Sequence, residues 1–188
     1  MSDFQLTAAP PLAGYEKTFG EVTLTAPRNL ALVSIALPLD GEDTAKNAIK
    51  AALGVDFPNV GKVVKAKNGS IILRMAMDQG FVLFAHTTPD AERLVAGKLK
   101  GSAYTTDQTD VWTALAVQGP RSRTALERIC PLDLHPEAFA VDDAARTVME
   151  HLGTLIIRTD TDGYLLLSAS SSAKSFLHAI ETSLHNVS

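Results

Sequence analysis

Asn29-Leu30-Ala31-Leu32-Val33-Ser34-Ile35-Ala36-Leu37 and Val111-Trp112-Thr113-Ala114-Leu115-Ala116-Val117 are two short apolar runs whose first residues lie 82 positions apart (111 minus 29). Each has the length and aliphatic content of a buried strand, and the segments after them share one layout. After the first, Asp40-Gly41 opens a helical pattern with Ala45, Ala48, Ile49, Ala52 and Leu53 on one face, closed by Gly54. Three strands are expected next, at 62–67, 70–77 and 80–86, turning at Asn68-Gly69 and at Asp78-Gln79-Gly80. Thr88-Pro89-Asp90 then caps a second helix, with proline at its first position, where no amide donor is missed, and a core face of Ala91, Leu94, Val95 and Leu99. Residues 102–107 complete the half as an edge strand.

The second pass breaks at Gly119-Pro120 and runs a helix through Ser122, Ala125, Leu126 and Ile129. Strands near 145–151, 154–159 and 163–169 come next, joined at Gly153 and at Asp160-Thr161-Asp162-Gly163. A helix from Ser171 onward carries Ala173, Phe176, Leu177, Ile180 and Leu184. Strand, helix, three strands, helix therefore occurs twice. So long a period indicates a duplicated subdomain and not a stacked array.

The expected fold class is α+β, with helices on one side of antiparallel sheets and two pseudo-repeated halves, 19–108 and 109–188, in one compact domain. Two helices cannot cover both faces of a sheet, so the halves must share a sheet or pack together. Residues 1–18, with Pro10-Pro11 and Gly14, have no period and read as an N-terminal arm. Its Phe4, Leu6, Leu12 and Tyr15 make it the candidate partner-binding element, expected to be separable from the fold.

Of the 188 residues 46% are apolar, with a mean hydropathy of +0.09, which supports an ordinary core and leaves apolar surface for a partner. The formal charge of -4 and a pI near 5.7 argue against nucleic-acid binding, which needs clustered cations. The one basic cluster, Lys62, Lys65 and Lys67, reads as a solvated strand face. A single cysteine excludes an internal disulfide framework and a multi-cysteine zinc site. The opening Met1-Ser2-Asp3-Phe4-Gln5-Leu6 lacks the basic start and apolar run of a signal peptide, and no stretch is long enough to span a membrane. A cytoplasmic protein is expected.

Gln118-Gly119-Pro120-Arg121-Ser122-Arg123 and Cys130-Pro131-Leu132-Asp133-Leu134-His135-Pro136-Glu137-Ala138-Phe139 look like catalytic chemistry. Cys130 lies at the C-terminal end of its helix, however, where the dipole disfavours the thiolate a nucleophile needs. His135 is flanked by Asp133 and Glu137, but a structural role, with Asp133 or His135 bonding a loop backbone, is the simpler reading. Ser171-Ser172-Ala173-Lys174 lacks the further motifs of serine-x-x-lysine enzymes and reads as helix capping. Asp160-Thr161-Asp162-Gly163 is a hairpin turn, since Arg158 and Ala169 stand where a calcium loop needs ligands. His178, Glu181 and His185 share a helix face at metal-compatible spacing, but no further ligand is near in sequence. Dinucleotide, phosphate-loop and zinc-protease motifs are missing from the sequence.

From Gln108 to Phe139, the Thr109-Asp110-Val111-Trp112 strand, the Gly119-Pro120 break and the Cys130-Pro131-Leu132-Asp133-Leu134-His135-Pro136 corner resemble, in order and spacing, the gamma subunits of heterotetrameric sarcosine oxidase. The family-signature residues are Trp112, Gly119, Pro120, Cys130, Pro131, Asp133, His135 and Pro136. One departure is Met77-Asp78-Gln79-Gly80-Phe81, where many relatives have a Leu-Gly-Pro-Asp-Glu-Trp-type turn. The resemblance implies a fold similar to the folate-binding domain of aminomethyltransferases, built from two ferredoxin-like halves. It implies a bacterial complex that oxidatively demethylates sarcosine to glycine, forms hydrogen peroxide and passes the one-carbon unit to tetrahydrofolate. FAD, FMN, NAD, zinc and tetrahydrofolate would sit on the alpha, beta and delta subunits, with none on this chain. Its role would be non-catalytic, packed mainly against the alpha subunit. Two alternatives are a gamma-like subunit of a complex oxidising another N-methyl amino acid, and a free-standing folate-binding protein.

Overall fold

The computed structural model describes residues 9–188. Two antiparallel sheets lie face to face, each with its helices on the outer side. The first half contains β3 (Leu30–Ala36), α1 (Glu42–Leu53), β4 (Val63–Lys65), β5 (Ile71–Arg74), β6 (Gln79–Ala85), α2 (Ala91–Leu99) and β7 (Tyr104–Asp107). Its five strands lie in the order β4-β5-β6-β3-β7. The second half contains β8 (Trp112–Gln118), α3 (Ser122–Glu127), β9 (Ala144–Met149), β10 (Leu152–Asp160), β11 (Gly163–Ala169) and α4 (Ala173–His185), with a 3-10 turn at Ser170–Ser172.

The second sheet has six strands because the N-terminal hairpin β1 (Glu16–Phe19) and β2 (Val22–Thr25) joins it, giving β1-β2-β8-β11-β10-β9. The repeat is therefore real, and β3, β5 and β6 correspond to β8, β10 and β11. Removing β4 from the first sheet, and β1 and β9 from the second, leaves the same four-stranded ferredoxin-like order in each. The place beside β3 is filled by β7 from the same half, and the place beside β8 by β2.

Alternation explains the three cores. Val33, Ile35, Ile72 and Val82 face α1 and α2 on the outside of the first sheet, while Leu115, Val117, Ile156 and Leu166 face α3 and α4 on the outside of the second. The opposite faces, with Leu32, Leu73, Phe81 and Leu83 from one sheet and Leu155, Ile157, Leu165 and Leu167 from the other, meet in the middle. Strands buried on both faces read as continuous apolar runs even though the sheets are antiparallel.

The halves also join through the backbone. Val63 N–H donates to Asp142 O at 2.8 Å, and Ala144 N–H to Gly61 O at 2.9 Å. Lys62 pairs with Asp143, and Lys65 with Asp142 at 2.9 Å, so two of the lysines expected on a solvated face reach the other half. These pairs are half-exposed and add little energy; the backbone bonds set the alignment.

Several sequence expectations change. Residues 9–18 are not a separate arm: Leu12 and Tyr15 pack on the second core, and Ala26 N–H donates to Tyr15 O at 2.8 Å. Phe4 and Leu6 lie outside the described residues. The hairpin straddles the expected boundary at 18/19 and adds to the second sheet. Pro89 precedes α2, which begins at Ala91, and Leu94 is 42% exposed because Ala91, Val95 and Leu99 form the inward stripe. The second turn is centred on Met77 and Asp78, since Gln79 already begins β6 and its carbonyl accepts from Met75 and Ala76. The helix expected through Ile129 ends at Glu127.

Candidate functional site

Gly119, Pro120, Cys130, Pro131, Asp133, His135 and Pro136 form a corner between β8 and β9, and Trp112 begins β8. Gly119 leaves β8 with φ +139°, and an added Cβ would overlap the Glu21 carbonyl oxygen and stand 2.9 Å from Val22 Cα. Glycine is required because the β1–β2 turn lies directly against it. Pro120 is exposed, and Ser122 N–H donates back to Gly119 O at 3.0 Å. Trp112 begins β8 and meets the edge of Phe81 at a centroid distance of 6.2 Å, a contact between the sheets.

Cys130 is buried just past α3, its amide bonded to Leu126 O at 3.0 Å and its sulfur 3.5 Å from Thr147 Oγ1. Pro131 and Pro136 are exposed, whereas Leu134 and Phe139 enter the second core. The Asp133 carboxylate accepts the backbone amide of His135 at 2.9 Å, and not its ring. The His135 carbonyl accepts Ala138 and Phe139 N–H at 2.9 and 2.8 Å, and its Nδ1 faces the Glu137 amide at 3.4 Å. Asp133, His135 and Glu137 thus shape an exposed turn whose carboxylate and imidazole are turned toward backbone amides.

The corner is fastened by Arg158, which is only 3% exposed. Its guanidinium donates to Phe139 O and Thr161 O, each at 2.7 Å, and lies 5.8 Å from the Tyr164 ring centre. The repeat supplies its counterpart at Arg74, 84 positions earlier (158 minus 74). Arg74 donates to Ala76 O at 3.1 Å, to Met77 O and to Pro58 O at 3.4 Å, and lies 5.2 Å from the Phe57 ring centre. In each half, an arginine near the end of the middle one of the three strands between the helices ties the next turn to the loop before those strands. An isolated arginine in each sequence segment does not reveal this pairing; aligning the two passes would.

Two further polar clusters have structural geometry. His86 Nε2 lies 2.7 Å from Asp90 Oδ1 and 2.8 Å from Thr88 Oγ1. Carboxylate and hydroxyl meet the same ring nitrogen, so the imidazole cannot carry a proton between them. The cluster braces the start of α2, where the Asp90 carboxylate bonds no helix amide; the Thr88 hydroxyl, with smaller contributions from His86 and Arg93, holds its carboxyl well below the usual range. Glu181 accepts Tyr15 O–H at 2.5 Å and Lys17 Nζ at 3.1 Å, while His178 and His185 are exposed. The Tyr15 bond lowers the Glu181 carboxyl, and burial, reinforced by Glu181, raises the Tyr15 phenol.

Among the described residues no group of three or more His, Cys, Asp or Glu side chains gathers as a metal site, and no helix is long and apolar enough to cross a membrane. Asp160 to Gly163 makes the β10–β11 turn, with Asp160 Oδ1 accepting the Thr161 amide at 2.6 Å. Ser172 occupies the cap position of α4, but its hydroxyl makes no cap bond.

The topology defines a class: a pair of ferredoxin-like halves joined sheet to sheet, the fold shared with an aminomethyltransferase. Aminomethyltransferase T of the Bartonella henselae glycine cleavage system matches with a TM-score of 0.62 at 14% identity, over 90% of this chain and 46% of that one. Within the class, one subunit type stands out. A chain of heterotetrameric sarcosine oxidase from Corynebacterium sp. U-96 matches with a TM-score of 0.80 at 23% identity, over 97% of this chain and 96% of that one. Three proteins named sarcosine oxidase subunit gamma are 27–31% identical. The Arthrobacter sp relative is 31% identical over 121 residues, 64% of this chain and 60% of its own length. The match thus spans less than two thirds of that relative. No protein-family model matches. In sequence and fold, the chain is similar to sarcosine oxidase gamma subunits.

Proposed function

We propose that this chain is a non-catalytic gamma subunit of a sarcosine oxidase complex, which demethylates sarcosine to glycine and hands the one-carbon unit to tetrahydrofolate with formation of hydrogen peroxide. The observation that carries this reading is the 31% identity to a named gamma subunit over 121 residues. FAD, FMN, NAD, zinc and tetrahydrofolate belong on the alpha, beta and delta partners, and the alpha subunit is the main contact. The complex works in the cytoplasm. A gamma-like role in a complex acting on another N-methyl amino acid would leave the same features on this chain.

The test is co-expression with the neighbouring reading frames. A tag on this chain should recover a flavin-coloured assembly that consumes sarcosine and releases hydrogen peroxide. A folded monomer that never associates with those products overturns the proposal. The likeness to aminomethyltransferase favours a second reading as a free-standing folate-binding protein, although fold alone is weak evidence for function. Tight, saturable binding of tetrahydrofolate to the isolated chain would select it.

A further inference from the structure

A cleft of about 490 Å3 opens at the end of the second sheet, where β8 and β10 begin and β9 and β11 end. Trp112, with Ala169 paired beside it on β11, gives it an apolar wall, Ser172 brings a hydroxyl, and Arg146 and His151 are its ionisable side chains. The chain carries 21 Asp and Glu residues, yet none among the described residues lines this cleft.

Three of its polar groups are uncommitted, whereas the Thr147, Thr154 and Ser168 hydroxyls bond Cys130 and the Leu152 and Gly153 carbonyls. Arg146 is exposed and makes no ion pair or side-chain hydrogen bond among the described residues, unlike Arg74 and Arg158, whose guanidinium groups are consumed by carbonyls. The Ser172 hydroxyl is not used as a helix cap, and the buried indole N–H of Trp112 has no acceptor. A guanidinium and an aromatic wall in one cleft can divide a ligand between them, the flat, two-pronged donor taking a carboxylate and the wall the apolar part of the same molecule. The volume lies within the range of small-molecule sites.

We propose that this cleft binds a small organic carboxylate with an apolar body, its carboxylate on Arg146 and its apolar part against Trp112. The site stands whether or not the chain assembles as a gamma subunit.

Trp112 is the only tryptophan, so its emission reports directly on the cleft. The full chain is titrated with benzoate, with benzamide as the uncharged isostere. Benzoate should change the emission saturably, with a Kd of about 1 mM or tighter. Benzamide, and benzoate on Arg146→Gln, should bind at least about tenfold more weakly, and Arg146→Lys should recover part of the loss. Lys98→Gln, at an exposed position on α2, should bind like the parent. Far-ultraviolet circular dichroism checks that each variant is folded. No saturable response to benzoate overturns the proposal. So does an equal response from benzamide, or undiminished binding in folded Arg146→Gln.

Discussion

The two halves reach the same strand order by different routes. In the first, β7 comes after α2 and pairs with β3, so the sheet is assembled from one continuous stretch. In the second, β2 pairs with β8 in the register Thr25↔Ala116, and the strand comes from the other end of the chain. A local sheet tolerates faults at its turns, whereas a sheet completed from a distance depends on the contact that docks the distant strand.

Gly119 is that contact, and the largest difference between the halves is expected there. Gly119→Ala must displace the Glu21–Val22 backbone, with an expected loss of more than about 3 kcal/mol. Gly69, in the β4–β5 turn of the first half, has φ +83° and nothing within 4 Å of an added Cβ, so Gly69→Ala should cost only about 1 kcal/mol. Urea unfolding measures both. Equal losses would show that the hairpin adapts and does not control the second sheet.

The arginine staples sharpen the comparison. Arg158 is buried and Arg74 partly exposed, although both tie a turn to a loop. Arg158→Met strands the Phe139 and Thr161 carbonyls away from water and should cost on the order of 3 kcal/mol, whereas water can replace Arg74 and Arg74→Met should cost about 1 kcal/mol. Chemical denaturation of the pair decides it, and reversal of that order would mean that burial is not what separates the staples.

The difference between halves also shows what is readable in the sequence. Runs such as 29–37 and 111–117 are buried on both faces, so their apolar signal is strong, and α1 and α4 carry clear stripes; these elements are legible, and with them the duplication. Glu16–Phe19 and Val22–Thr25 are only four residues each, and nothing local says which sheet they join. The N-terminal segment reads as separable for that reason. At the corner, Asp133 and His135 are legible as backbone partners because short-range Asx geometry is written in adjacent residues. Arg158 is not, because its acceptors are carbonyls, which every residue has.

The smallest expected effect lies where the N-terminal segment meets α4. Tyr15 O–H holds the Glu181 carboxyl below its ordinary value, so ionised Glu181 is favoured in the folded chain. That contribution is fully present above the ordinary carboxyl range and fades as pH falls through the lowered folded value. Tyr15→Phe should therefore reduce Tm by a few degrees at pH 7, about 1 kcal/mol, with the gap narrowing below about pH 4.5. At the alkaline end the phenol itself takes over: the raised Tyr15 hydroxyl stays protonated in the fold but ionises on unfolding above about pH 10, and Tyr15→Phe removes that destabilisation. The first half has no ion pair to an N-terminal strand among the described residues, so Asp43→Asn, which loses the exposed pair to Lys46 and a first-turn charge on α1, should shift Tm by less than Tyr15→Phe does at pH 7. Because Phe keeps the ring and its packing on the second core, a gap for Tyr15→Phe that stays constant from pH 7 to pH 3 would mean that the hydroxyl does not act through the ionised Glu181 carboxylate.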